Sequence, residues 1–275
     1  MKKILLNGGV IEYILKIREN LIIKLLKNDY QVYVLTSGSN KIEEDKLKQL
    51  GVKVITHNHN FKTLSPIKHF FIFLYYLRII KSVSPDIILS YNIIPVIYGS
   101  LASKINRVKI VTAMITGLGA IFSPKNFRDL LIRSVTINLY RISLKNISWI
   151  FAQNGYILEV FNRYKISMSE KIVLIAGSGV NIDDFPYTPI KSKNTFLFIS
   201  RFIKDKGINE FIEAATILKK SWPESRFIVG GWSDGSKGSL SKNEVELLKV
   251  NRNIEFIGRV DDVKSIISEA TVFVY

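Results

Sequence analysis

The sequence predicts an α/β protein made of two doubly wound parallel sheets. Three observations carry this. Short apolar runs alternate with helix-like segments from the first residue onward. That rhythm breaks once, in a stretch rich in Gly and Pro, and then restarts. The chain has 275 residues and 47% hydrophobic content, enough for two packed cores and too apolar for disorder.

The elements follow in order. "KILLN" reads as a strand and "IEYILKIRENLIIKLLKN" has helical apolar spacing. "YQVYVLTS" is a strand, and "IEEDKLKQLG" is a helix ending on Gly51. "VKVITH" is followed by a helical stretch from Pro66 to Ser82, which Pro85 separates from the strand "PDIILSYN". "PVIYGSLASKI", "VKIVTAMI", "FRDLLIRSVTINLYRISLK", "ISWIFAQN", "GYILEVFNRYK" and "EKIVLIA" continue the alternation of helix and strand. Such βα repetition implies a parallel sheet covered by helices on both faces.

The break is "GSGVNIDDFPYTPIKSKN", read as a linker over residues 177–193. It separates a domain at 1–176 from a second at 194–275. In the second, "TFLFISR", "GINEFIEAATILKKS", "RFIVGGWS", "KNEVELLKV", "NIEFIG", "VDDVKSIISEA" and "TVFVY" repeat the pattern. It stops at Tyr275 after about four strands, where such domains generally have about six. The second domain therefore reads as incomplete, and the sequence as a fragment or a C-terminally truncated product.

There is no cysteine, which excludes disulfides, thiolate metal sites and a cysteine nucleophile. His57, His59 and His69 lie near one another but lack the spacing of a zinc site, so no metal is expected. The longest apolar run, "FFIFLYYL", is far short of the roughly 20 residues that span a bilayer. The net charge is +16, of which +13 falls in residues 1–190. That bias suits an anionic partner, with a membrane surface favoured over nucleic acid because no nucleic-acid motif is present. Solubility alone explains it equally well. "FKTLSPIKHFFIFLYYLRIIKS" mixes bulky apolar groups with Lys62, Lys68, Arg78 and Lys81, so it suits either a membrane interface or a buried helix.

Ligands of open α/β sheets bind outside the carboxyl ends of the strands, so the strand-to-helix loops come first. "NGGV", with Gly9, permits close approach of a phosphate or sugar and equally makes a simple tight turn. It is not a dinucleotide fingerprint, and no acidic residue follows the second strand. "ITGLGAIF" carries Thr116, a hydroxyl able to meet a hydroxyl-rich ligand, with Gly117 and Gly119; turn geometry alone would also explain the glycines. "FLFISRFIKDKGINEFIEAA" places Arg201, Lys204 and Lys206 where a strand hands over to a helix. Helix starts repel cations. Arg201 and Lys206 together with helix N–H groups make a place for a diphosphate, though a solvated loop has the same spacing.

In order along the chain, these segments resemble the GT-B glycosyltransferases of glycosyltransferase family 4, most of all bacterial enzymes that extend lipid-linked or surface polysaccharides. "LSYNIIPVIYGSLASKI" resembles the family's "LTYTIKPNIYGSLA", and "MITGLGAIF" its "NITGLGYxF". "GSGVNIDDF" is similar to "GSGVDLxxF", and "ISRFIKDKGINEFIEAA" to "xARLLKDKGIxEFxEAA". The resemblance implies two Rossmann-like domains, the first on the acceptor side. It implies sugar transfer with retention from a nucleotide sugar, usually UDP-linked, with no cofactor and no obligatory metal. A polyprenyl-diphosphate-linked or glycan acceptor is expected, with a cytoplasmic, peripheral-membrane location. By resemblance Arg201 and Lys206 bind the donor diphosphate, Gly9 lies near the donor, and Thr116, Gly117 and Gly119 lie on the acceptor side. The family's two donor-sugar glutamates fall beyond Tyr275. Asn92 stands where the family has Thr, and Ile94 and Val96 where it has Lys and Asn. A UDP-sugar 2-epimerase of the same fold and a non-catalytic membrane-associated module are the alternatives.

Overall fold

The computed structural model describes residues 1–59, 63–190, 194–235 and 238–275. The chain forms two compact units, Met1–Val180 and Asn181–Tyr275. Lys62 and residues 191–193 of the expected linker lie outside the described residues.

In the first unit, seven strands form one wholly parallel sheet: β1 (Lys2–Val10), β2 (Tyr30–Ser37), β3 (Lys53–His57), β4 (Ile87–Tyr91), β5 (Ile110–Ile115), β6 (Trp149–Ala152) and β7 (Ile172–Leu174). Their order is β3-β2-β1-β4-β5-β6-β7, so the winding reverses between β1 and β4. Helices α1 (Ile11–Lys27), α2 (Lys41–Gln49), α3 (Pro66–Val83), α4 (Ile93–Ile105), α5 (Phe127–Leu144) and α6 (Gly155–Arg163) connect them. Period-two alternation in β1 divides its side chains between two cores. Ile4 and Leu6 join Ile11, Ile14 and Ile22 of α1, whereas Leu5 joins Tyr76, Ile97 and Tyr140 of α3 to α5.

The expected "NGGV" loop is instead the bulged end of β1, whose register slips between Asn7 and Val10. The reason is a neighbouring backbone. A Cβ at Gly8 would lie 2.2 Å from the Tyr91 carbonyl oxygen, and its φ is +132°. Only glycine lets β4 come this close.

Helix α3 buries Ile72, Tyr76, Ile80 and Val83 along one face, while Ile67, Phe70 and Phe71 in its first turns stay exposed. It is a core helix with an uncovered apolar start. Of its cations, Lys68 is at that start, whereas Arg78 lies ten residues on, about 15 Å along the axis. Helix α5 repeats the arrangement: Phe127, Leu130, Leu131 and Val135 are exposed, and Ile137, Tyr140 and Leu144 are buried. Both helices follow parallel strands and pack on α4, so both apolar starts lie at the carboxyl edge of the sheet. Among the described residues no helix is long and apolar enough to cross a membrane.

The second unit has four parallel strands, β8 (Thr195–Arg201), β9 (Arg226–Trp232), β10 (Glu255–Gly258) and β11 (Val272–Phe273), ordered β10-β9-β8-β11. Helices α7 (Ile208–Ser221), α8 (Lys242–Val250) and α9 (Val263–Glu269) connect them. This is the winding of the first four strands of the first unit, with the reversal between β8 and β11. Phe198, Phe211 and Phe227 centre its core. The glycine device recurs: a Cβ at Gly231 (φ +145°) would lie 1.9 Å from the Ser200 carbonyl oxygen.

Candidate functional site

In a doubly wound sheet, the crevice for a ligand opens at the carboxyl edge where the winding reverses. In the second unit that place is between the ends of β8 and β11. Arg201 is the last residue of β8, and Lys204–Lys206 form a single 3-10 turn after it. Gly207 then opens α7, whose first N–H groups have no partner one turn earlier. Lys206 spans the crevice, with its ammonium 4.6 Å from the Tyr275 ring centroid and donating to the Tyr275 hydroxyl.

Each of the three predicted cations has a partner. Arg201 Nη1 donates to Asp234 Oδ2 at 2.7 Å, and Lys204 Nζ lies 2.8 Å from Glu244 Oε1. Glu244 also caps α8 through Ser241. The Lys204 hydrogen bond, with those from Ser241, pulls the Glu244 carboxyl down to about 2. Lys204 thus ties the turn to α8. The Arg201 side chain remains half exposed, and exposed pairs are worth about 0–1 kcal/mol, so a dianion can displace Asp234 at little cost. Arg259, after β10, was missed by sequence reasoning. It rests 5.1 Å over the Trp232 ring at the same edge.

In the first unit the reversal lies between β1 and β4, and a cavity of ≈ 340 Å³ opens there, lined by Gly9, Tyr13, Arg18, Asn92, Thr116 and Gln153 among others. Gly9 donates its N–H to Asn92 Oδ1 at 3.0 Å, and its carbonyl accepts from Thr36 and Ser37. Its amide is therefore already engaged. Asn92 holds that bond from a strained backbone, φ +70° and ψ 153°, a conformation that costs on the order of 1–3 kcal/mol and clusters at functional sites. Thr116 lines the cavity with Gly9, whereas Gly117 and Gly119 are exposed and do not. A roomier concavity, ≈ 690 Å³, lies at the opposite, amino edge, between Arg78, Lys81, Asp86, Arg107 and Lys109. The rule for open sheets favours the carboxyl-edge cavity despite its smaller volume.

Sequence reasoning also missed Arg18, Gln153 and Ser178, which meet here. Arg18 Nη1 donates to Ser178 Oγ at 3.1 Å, and Gln153 Nε2 donates to the same oxygen at 2.9 Å. Ser178, inside the expected linker, is thereby bound to the first unit. Burial pushes the Tyr91 phenol up, so it stays protonated beneath the Arg18 guanidinium, 5.0 Å from its ring centroid.

The three histidines separate into a pair and a single. His57 and His59 have ring centroids 5.2 Å apart, whereas His69 meets the Thr63 carbonyl. Among the described residues no three His, Asp or Glu side chains are placed to hold a metal ion.

Two parallel, doubly wound units, each with polar groups gathered where its winding reverses, define the fold class of the GT-B glycosyltransferases. The family described as "Glycosyl transferase 4-like" matches residues 3–154, and "Glycosyl transferases group 1" matches residues 180–275. The chain belongs to the glycosyl transferase 4-like family, and it is a glycosyltransferase. A curated relative from Campylobacter jejuni subsp. jejuni is 27% identical over 271 residues, covering 92% of this chain and 69% of that protein. It is named N,N'-diacetylbacillosaminyl-diphospho-undecaprenol alpha-1,3-N-acetylgalactosaminyltransferase. A solved glycosyltransferase from Rickettsia africae has a TM-score of 0.70 at 20% identity, covering 99% of this chain and 72% of that one. A UDP-GlcNAc 2-epimerase from Neisseria meningitidis, solved with UDP-GlcNAc, has a TM-score of 0.62 at 17% identity, covering 99% and 77%. At these identities the two structures speak for the fold alone.

Proposed function

We propose that this glycosyltransferase moves a sugar from a UDP-sugar, with retention of configuration, to a lipid-linked acceptor. The observation that carries this is the placement of Arg201 and Lys206 where the second sheet reverses its winding, beside the start of α7. A departing nucleoside diphosphate gains negative charge as its bond to the sugar breaks. Fixed cations and helix N–H groups stabilise that charge more in the transition state than before it. Residues 194–275 act as the donor domain and residues 1–176 as the acceptor side, with 177–193 as linker. Gly9 borders the donor, and Thr116, Gly117 and Gly119 border the acceptor.

The acceptor class is supported by the relative, whose name specifies a diphospho-undecaprenol carrier. A bilayer surface fits the uncovered apolar starts of α3 and α5, which interleave with Lys68, Lys125 and Arg128. This would place the protein on the cytoplasmic face of the membrane as a peripheral protein.

The test is a titration of UDP and UDP-sugars followed by thermal unfolding. UDP at 100 times its Kd is expected to stabilise the protein by about 2.7 kcal/mol, and the doubly substituted Arg201→Ala, Lys206→Ala protein is expected to show no response. An unchanged response in that protein rejects the donor site. Conversion of a UDP-sugar to its 2-epimer without acceptor rejects the transferase reading.

A further inference from the structure

Arg18 is 5% exposed, on the face of α1 that otherwise buries Ile11, Ile14 and Ile22. Its Nε has no hydrogen-bond partner, and among the described residues no carboxylate pairs with it. Of the acidic residues on the helix, Glu19, next in the chain, is exposed, and Glu12 has its carboxylate beside Gly38; neither lines the cavity. Burial pushes the guanidinium down from its ordinary value, partly opposed by Tyr91. Evolution seldom leaves a cation so desolvated without an anion, because the buried charge is costly unless paired.

The cavity supplies the rest. Arg18 lines it together with three neutral polar groups, Asn92, Thr116 and Gln153, while Val10 and Ile17 stand half exposed at the same wall. One buried fork-shaped cation, neutral hydroxyl and amide groups, and an apolar lip suit an amphipathic ligand with a phosphate head. Guanidinium meets phosphate oxygens through two parallel hydrogen bonds, which a carboxylate-free wall leaves available.

We infer that Arg18 holds the phosphate group of a prenyl-diphosphate acceptor in this cavity and is the specificity-determining residue for a charged carrier. The inference rests on the lipid-linked acceptor reading above. Its recognition site is separate in sequence and in unit from Arg201 and Lys206, so the two sites are testable apart.

The experiment uses farnesyl diphosphate below its micelle concentration, with farnesol, inorganic diphosphate and UDP as comparison probes. Binding is read by calorimetry on wild type, on Arg18→Met, on Arg18→Lys and on the Arg201→Ala, Lys206→Ala protein. Farnesyl diphosphate is expected to bind wild type and the doubly substituted protein alike, and Arg18→Met at least tenfold more weakly. Arg18→Lys keeps the charge and is expected to lose less than Arg18→Met, which carries the test should the methionine variant not fold. Farnesol is expected not to bind, and inorganic diphosphate to bind the doubly substituted protein through Arg18 alone. The melting temperature of ligand-free Arg18→Met is expected to equal or exceed that of wild type, an outcome a purely structural arginine would reverse. Undiminished farnesyl diphosphate binding in both Arg18 variants, or equal binding of farnesol, overturns the inference. UDP binding to wild type and to the Arg201→Ala, Lys206→Ala protein reports on the donor site, so failure of the donor reading is told apart.

Discussion

At the carboxyl edge of the first unit one guanidinium, Arg18, is buried with no carboxylate partner among the described residues. At the same edge of the second unit Arg201, Lys204 and Arg259 are exposed and Lys206 is half-buried, each against a partner in its own unit. The winding is the same and the electrostatics are opposite. An exposed pair is cheap to form and cheap to exchange, so it tolerates a ligand that comes and goes. A buried lone cation has no such freedom, because the interior offers no water to replace a missing partner. Burial, rather than the number of cations, decides how firmly each edge commits to an anion.

The largest expected effect tests what the two edges share. Gly8→Ala and Gly231→Ala each force a Cβ onto a carbonyl oxygen at a φ that L-residues avoid. Each is expected to destabilise its own unit by roughly 3 kcal/mol or more. Trp149 reports the first unit and Trp222 and Trp232 the second, so single-tryptophan fluorescence melts assign the damage. A loss below about 1 kcal/mol in either would show that the two strands can separate at no cost.

Next comes pH, which should split the units. His57, at the end of β3, is held at about 4 by burial and then by His59. Its folded value lies below the unfolded 6.5, so its contribution is complete above 6.5 and is lost as pH falls to about 4. That window should cost the first unit roughly 3 kcal/mol. Glu244 in the second unit is depressed to about 2 by Lys204, so its contribution is complete above 4.5 and is lost on falling to about 2. Denaturant melts at pH 7, 5 and 3.5 are expected to show the first unit weakening first. His57→Gln should flatten that early loss, and an unaltered profile would remove the histidine from the account.

The smallest effect belongs to the exposed pair. Asp234→Ala, which frees Arg201, is expected to change stability by less than about 1 kcal/mol while tightening UDP binding. A large stability loss would make the pair a structural brace, and weaker UDP binding would make Asp234 part of the site.

Much of this architecture is legible from residue order. Parallel strands buried on both faces read as continuous apolar runs, and β2 was expected over the residues it occupies, Tyr30–Ser37. The strand-to-helix junction expected around Arg201, Lys206 and Gly207 is likewise where β8 hands over to α7. Other features were hidden. "NGGV" read as a loop because the cause of its glycines, the Tyr91 carbonyl, is 83 residues away from Gly8. Arg18 left a signal that went unused: it interrupts the buried series Ile11, Ile14, Ile22 at helical spacing. Gln153 and Ser178 left none, because only the path of the chain after β7 brings them to one guanidinium. Apolar content could not decide between core and surface for α3, since the helix is both along its length.

The Ser178 hydroxyl sits two residues before the first unit ends at Val180, moored to the side chain that faces the cavity. The guanidinium that faces that hollow is thus also one of the two donors, with Gln153, that fasten the departing polypeptide.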